Sequence, residues 1–210
     1  MTSSHGDHLE TEQKYDVDAG FALPDPDGLA GLAGLRAAGV NRYQLSATYF
    51  DTDALDLHEN KVTLRRRTGG SDEGWHLKLK VRKDTRQEVH APLDEGAAGD
   101  VPARLAAQVG DITARDRLHP IAVLDTERTV VTLTGVGGEP VLEVADDRVT
   151  ATRLGATDGQ RLAWREIEVE VVSGDGPAAA GALERIGQGL RQAGARPSAE
   201  ASKLSRLLQS

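Results

Sequence analysis

The strands of this chain sort their charges by face, and that constrains its fold more than any other feature. Successive side chains of a β-strand point to opposite sides. In "KVTLRRR" (61–67), Val62 and Leu64 share one face while Thr63, Arg65 and Arg67 share the other. In "WHLKLKVR" (75–82), Trp75, Leu77, Leu79 and Val81 oppose His76, Lys78, Lys80 and Arg82. In "WREIEVEVV" (164–172), Ile167, Val169 and Val171 oppose Glu166, Glu168 and Glu170. Near the start, "HLETEQKYDV" (8–17) sets Glu10, Glu12 and Lys14 on one side.

An ordinary half-exposed sheet puts apolar residues inward and charges into solvent. Solvated faces mix signs, because like charges placed across from each other repel. Here one hairpin face is nearly all cationic and another strand face all anionic. The two clusters explain each other if both line the inside of one closed barrel. The cationic wall then cradles a polyanion, and the carboxylates hold hard divalent metals that bridge to its oxygens. Arg65 and Arg67 suit forked contacts with phosphate oxygens, and Lys78 and Lys80 act as point charges. Glu10 and Glu12 read as metal ligands, with Lys14 facing the same cavity.

The remaining segments support one large antiparallel sheet. Residues 1–8 read as a disordered tail, and 9–210 as a single domain. "LPDPDGLAGLAGLRAAGV" (23–40) places Leu29, Leu32, Leu35 and Ala38 at helical spacing, with Asp25 or Asp27 as cap and Gly39 as stop. Strands are predicted at 42–52, 86–93, 125–133, 139–154 and 162–172, and helices at 101–110, from Pro177 to Ala195 and at the C-terminus. That makes roughly seven to nine strands in consecutive hairpins with about four helices, and no βαβ alternation. An α+β domain built on such a sheet is the economical reading.

Composition narrows the function. A net charge of −8 argues against a general nucleic-acid binder, and 3% aromatic residues leave few stacking platforms. The sequence has no cysteine, which excludes thiolate metal sites and fits a cytoplasmic protein. No run approaches the ~18 apolar residues of a membrane span. The N-terminus has neither the basic nor the apolar region of a signal peptide. The six histidines show no metal-ligand spacing, and "TGGSDEG" and "TGVGGE" carry no phosphate-loop pattern.

Glu10-Thr11-Glu12-Gln13-Lys14 resembles the ExExK signature of the CYTH family, the triphosphate tunnel metalloenzymes. The likeness continues in family order through "YFDT" (49–52), "TLRRR" (63–67), "WHLKLK" (75–80), "TRQE" (85–88), the arginine of "TERT", "EVADDRV", "EIEVE" and a C-terminal "SKL". The resemblance implies an eight-stranded antiparallel β-barrel forming a tunnel, with helices packed outside, that hydrolyses triphosphate substrates with Mg²⁺ or Mn²⁺. It makes Glu10, Glu12, Glu168 and Glu170 the metal-binding carboxylates, joined by an acid of "ADD", either Asp146 or Asp147. Regular alternation would put Asp147 on the face of Glu143. Lys14, Arg65, Arg67, Lys78, Lys80, Arg86, Arg128 and Lys203 become the phosphate-binding cations, with Lys14, Glu168 and Glu170 nearest the chemistry. One metal orients the phosphates and a second activates water. Arg82 and Glu166 extend the charged faces toward the tunnel mouth, and Glu88 is a salt-bridge partner within the cationic wall. Inorganic triphosphate is the first substrate expected. Thiamine triphosphate, cyclisation of ATP, or non-catalytic polyphosphate binding are the alternatives. A homodimer is a further expectation.

Overall fold

The computed structural model describes residues 11–82, 85–95, 99–155, 159–173, 177–200 and 202–210, without the side chains of 80–82, 85 and 86. Glu10 and the 1–8 tail therefore lie outside the described residues, as do the side chains of Lys80, Arg82 and Arg86.

Nine strands form one antiparallel sheet in the order β5-β4-β3-β2-β6-β7-β8-β1-β9. They are β1 (Glu12–Val17), β2 (Arg36–Asp51), β3 (Thr63–Thr68), β4 (Gly74–Arg82), β5 (Thr85–Ala91), β6 (His119–Thr134), β7 (Pro140–Arg153), β8 (Arg161–Val171) and the two-residue β9 (Arg196–Pro197). The expected antiparallel tunnel with helices against it is present; in detail, among the described residues no ladder joins β5 to β9, and the sheet curls into a tunnel without closing by hydrogen bonds. Length and irregularity produce the curl. β2 and β6 pair along almost all of their 16 residues each, with register shifts between Ala37 and Gly39 and between Tyr49 and Phe50. Each bulge bends its strand and increases the local twist.

Among the described residues five α-helices and a 3-10 turn (Arg115–Arg117) complete the fold: α1 (Pro26–Ala33), α2 (Asp56–Glu59), α3 (Ala103–Gln108), α4 (Pro177–Gln192) and α5 (Lys203–Gln209). The first is shorter than its leucine spacing predicts. Asp25 caps it by accepting from the Gly28 amide at 2.7 Å, and Gly34 ends it in the left-handed conformation at φ 67°. Leu35 lies just past that cap, and Ala38 sits at the β2 bulge. Gly34 is the glycine that adopts the left-handed cap, its amide bonding back to Gly31, so the later Gly39 falls in β2.

The convex face carries two apolar layers. On one side, Tyr15, Val131, Leu133, Leu142, Val144, Ile167 and Val169 pack beneath α1 and α4. The approach is close at Gly187, where an added Cβ would stand 2.2 Å from the Tyr15 hydroxyl. On the other side, Phe50, Leu64, Trp75 and Leu77 pack beneath α2 and α3. Trp75, buried to 1% exposure with its ring 5.0 Å from that of Phe50, points away from the tunnel as strand parity predicts. These layers let the charged faces turn inward.

Not every helix is outside. Leu204 and Leu207 of α5 pack with Ala47, Tyr49, Leu124, Val149 and Ala151, which belong to the concave face. Ser202 caps α5 by accepting from the Ser205 amide. One end of the tunnel is therefore filled by an apolar plug, and the charged interior begins where that plug stops.

Candidate functional site in the tunnel

Cross-strand register assembles the interior row by row. Glu12 lies opposite Glu170, which lies opposite Glu143 on β7. Lys14 lies opposite Glu168. In the next row Glu166 lies opposite Asp147, and Asp147 opposite Arg128. On the far wall Tyr49 lies opposite Arg65 and Arg65 opposite His76, while Lys78 lies opposite Glu88. These rows enclose a cavity of about 210 Å³ lined by Glu12, Lys14, Tyr49, Arg65, Arg67, His76, Lys78, Glu88, Arg128, Glu168, Glu170 and Lys203.

The cationic wall is poor in counter-charge. Among the described residues, Arg65 Nε and Arg67 Nε are shut off from solvent and have no hydrogen-bond partner. Burial, with the like charges of Arg65 and Arg128, pushes the Arg67 guanidinium down to about 9. Arg67 does reach Asp72 at the tunnel rim. Burial alone would raise the Tyr49 phenol, but Arg65 at 3.5 Å, together with Lys203 and Arg67, reverses this and lowers it. Burial and the neighbouring guanidiniums keep His76 below its ordinary value despite its bond to Glu88 at 2.9 Å. Glu88 also lies 3.7 Å from Lys78, the salt-bridge role the sequence indicates. A buried set of positive charges with unused donors is an anion site by chemistry.

The opposite wall is different in kind. Lys203 Nζ stands 2.9 Å from Asp147, 2.6 Å from Glu166 and 2.7 Å from Glu168. Arg128 grips Asp147 through Nε at 2.7 Å and Nη2 at 2.6 Å, and reaches Glu168 at 2.6 Å. Lys14 sits 3.2 Å from Glu12 and 3.4 Å from Glu168. Burial opposes ionisation of each group, yet the pairing wins. Lys203 and Arg128 are held above their ordinary values and Glu168 well below its own. Lys14 is also raised, by Glu168 and Glu12.

The structure separates the two acids that the sequence left open. Asp147, fully buried, faces the tunnel, while Asp146 faces outward and pairs with Arg165 through two bonds of 2.8 Å. Arg165 is held in turn by the carbonyls of Ala19 and Phe21. Asp146 is therefore removed from the metal set, because one residue along a strand reverses the side chain. Glu166 moves the other way. It is 4% exposed and bonded to Lys203, not placed at the mouth. Tyr49 is the tunnel residue that charge patterning overlooks, since a neutral phenol carries no parity signal. Its place within "YFDT", alternating with Ala47 on the inner face, could have shown it.

Two acidic groups bear on metal binding. Asp147, Glu166 and Glu168 offer ligand atoms within 4.8 Å of one another, a grouping that could hold a metal. Glu12, Glu170 and Glu143 form a second row, in which directly opposed carboxylates repel unless a cation lies between them. Carboxylate oxygens are the donors that Mg²⁺ and Mn²⁺ prefer, so this donor set fits such an ion.

A family model described as the CYTH domain matches residues 8–196. The chain belongs to the CYTH family. Two uncharacterized Mycobacterium tuberculosis proteins, MT2285 and Rv2226, are each 42% identical to this CYTH chain over 210 residues, covering 96% of it but 40% of their own length. The chain thus spans well under half of those curated relatives. A solved Bacillus halodurans structure, described as a proposed adenylate cyclase, superposes with a TM-score of 0.61 at 16% identity, covering 96% of this chain and 98% of that one. HpAC1 from Hippeastrum, a proposed adenylyl cyclase with a dominant triphosphatase activity, superposes at 0.51 with 18% identity and 96% coverage of both chains. At these identities the structural likeness concerns the CYTH fold. Among the described residues no helix is long and apolar enough to cross a membrane.

Proposed function

We propose that this CYTH domain hydrolyses a triphosphate with the help of a divalent cation, and that inorganic triphosphate is its substrate. The observation that carries the reading is the pair Arg65 and Arg67, inside one cavity, with guanidinium donors unmet by any described residue. Keeping two such cations close together is costly, and an anion of high charge density removes that cost.

The residues divide the work by wall. Arg65, Arg67 and Lys78 bind the non-bridging oxygens of the anion and neutralise charge that builds up as the terminal phosphoryl group separates. Lys14, held as ammonium by Glu12 and Glu168, sits at the boundary of the two walls and orients a phosphate oxygen toward the acids. Glu12 and Glu170 would hold Mg²⁺ or Mn²⁺, which would supply Lewis-acid polarisation of the phosphate and of the attacking water. Tyr49 lines the cavity and its hydroxyl accepts from Arg65 Nη1 at 3.5 Å. Among the described residues neither tryptophan offers a shelf for an organic group in the cavity, since Trp75 is outside the tunnel and Trp164 donates its indole N–H to Glu166 at 2.5 Å. That favours the inorganic substrate over thiamine triphosphate or ATP. The name of HpAC1, which couples a proposed cyclase to a dominant triphosphatase activity, supports triphosphate hydrolysis over cyclisation.

The test is phosphate release from inorganic triphosphate, ATP and thiamine triphosphate, each with Mg²⁺, Mn²⁺ or EDTA. Metal-dependent release from inorganic triphosphate well above the other two is expected. Tight triphosphate binding without turnover under any metal would make the tunnel a polyphosphate receptor instead.

A further inference from the structure

The Asp147–Glu166–Glu168 group looks like a metal site by composition, yet its hydrogen bonding is complete without a metal. Asp147 Oδ1 accepts from Arg128 Nε, and its Oδ2 from Arg128 Nη2 and Lys203. Glu166 uses Oε1 on Lys203 and Oε2 on the Trp164 indole. Glu168 uses Oε1 on Lys203 and Lys14, and Oε2 on Arg128. Every oxygen of the three carboxylates therefore has a hydrogen bond or an ion-pair contact from the chain. Lys203 Nζ donates to Glu168 and stands in ion-pair contact with Asp147 and Glu166.

We propose that Lys203 is the resident cation of this triad, so that the tunnel takes its divalent metal at the Glu12–Glu170 row alone. The proposal rests on reading the tunnel as a metal-dependent phosphate site, and it replaces the two-metal arrangement expected from the sequence with one metal and one lysine.

Charge and geometry both support it. Three carboxylates face Lys203, Arg128 and the shared Lys14, which balances the cluster without a further ion. The three acids bring oxygens within 4.8 Å of one another, and Lys203 Nζ stands 2.6–2.9 Å from an oxygen of each. Lys203 is also not free to leave cheaply. It opens α5, whose Leu204 and Leu207 are buried in the plug at 4% and 0% exposure. A metal entering the triad would have to displace the ammonium and strain that anchorage. The plug helix thus carries a fixed charge into the place a second metal would otherwise take. The carboxylates in turn hold Lys203 ready for the phosphate chain on its other side.

The experiment is Mn²⁺ titration of the whole chain without phosphate, read by calorimetry and by the electron-spin signal of free Mn²⁺. The unmodified chain is expected to bind about one ion, lost in Glu170→Gln. Lys203→Met is expected to gain about one more, lost again in Lys203→Met/Glu166→Gln. Uptake by the unmodified chain that disappears with Glu166→Gln would overturn the proposal, and so would no gain in Lys203→Met. If the unmodified chain binds no Mn²⁺ while Lys203→Met gains an ion, Lys203 is still the cation of the triad, but the metal at the Glu12–Glu170 row and with it the metal-dependent reading are overturned. Should Lys203→Met not fold, the ammonium protons of Lys203 in the unmodified chain decide by nuclear magnetic resonance. Their signals should persist unshifted at saturating Mg²⁺, and their loss would place the metal in the triad.

Discussion

Single residues divide the tunnel into a wall with two buried guanidinium Nε groups that no described residue meets and a wall whose acids and bases are paired with one another. Arg67 belongs to the first, and its charge is maintained against burial and two neighbouring guanidiniums. Replacing it with alanine should lower kcat/KM for inorganic triphosphate by ~10²–10³, the usual loss for one preorganised electrostatic contact. A steady-state comparison with the unmodified chain measures it. Asp147 belongs to the second wall. Asp147→Asn leaves Lys203 and Arg128 short of a buried counter-charge and should cost about 3–5 kcal/mol in denaturant unfolding. Asp146→Asn, on the outer face, should cost about 1–2 kcal/mol and leave turnover unchanged. Equal losses from the two would refute the separation of these neighbours by strand parity. Asp51 of the "YFDT" stretch has a different task. Buried at 1% exposure, it accepts backbone N–H bonds from Thr52, Leu57 and His58 at 2.8–2.9 Å and fixes the turn into α2.

Among the elements, α5 does most for its seven residues. Its first residue supplies Lys203 to the carboxylates, and its leucines close one end of the tunnel. Leu207 is fully buried against concave-face residues. Leu207→Ala should therefore lower stability by about 2–5 kcal/mol. For a chain of this length that is roughly 5–15 °C in Tm, readable by calorimetry. Triphosphate turnover should fall further than the unfolded fraction explains, because the helix also positions Lys203. A loss of stability with turnover per folded molecule unchanged would mean that the plug and the chemistry are independent. The outer helices have a simpler duty. α1, α3 and α4 cover the convex face, and without them Leu133, Val144 and Ile167 would compete for the interior now held by charge.

For the whole molecule, the paired acids and bases set a pH window. The folded pKa of Glu168 lies well below 4.5, so its stabilisation is present above 4.5 and fades as pH falls toward the folded value. The folded pKa of Lys203 lies above 10.5, so its contribution is full below 10.5 and fades as pH rises past it. Unfolding free energy measured across pH should show a plateau between these limits and a fall on either side. In Glu168→Gln the acid-side fall should be shallower, because the titrating group is gone. An acid limb as steep as in the unmodified chain would assign it to other carboxylates.

How much of this was legible beforehand follows from what a sequence encodes directly. Strand parity is local, so "WHLKLKVR", "TLRRR" and "WREIEVEVV" disclosed which side chains share a face, and opposite charge segregation disclosed that those faces turn inward. The same alternation set Trp75 outside and favoured Asp147 over Asp146. Order along the chain carried the family likeness. What stayed hidden was everything set by contact between distant segments. Whether nine strands close depends on bulges and on edges that no single strand records. The helix at Pro26 ended early because Gly34 met the stop condition before Gly39 could. Above all, the chain showed acids and bases but not their partners. Lys203 and Glu168, 35 positions apart, meet only because α5 folds into the concave face. Pairing is a property of three-dimensional distance, since charge interactions fall off with separation in space. Only the tertiary structure could therefore tell the arginines whose Nε groups no described residue meets from the carboxylates already paired within the chain.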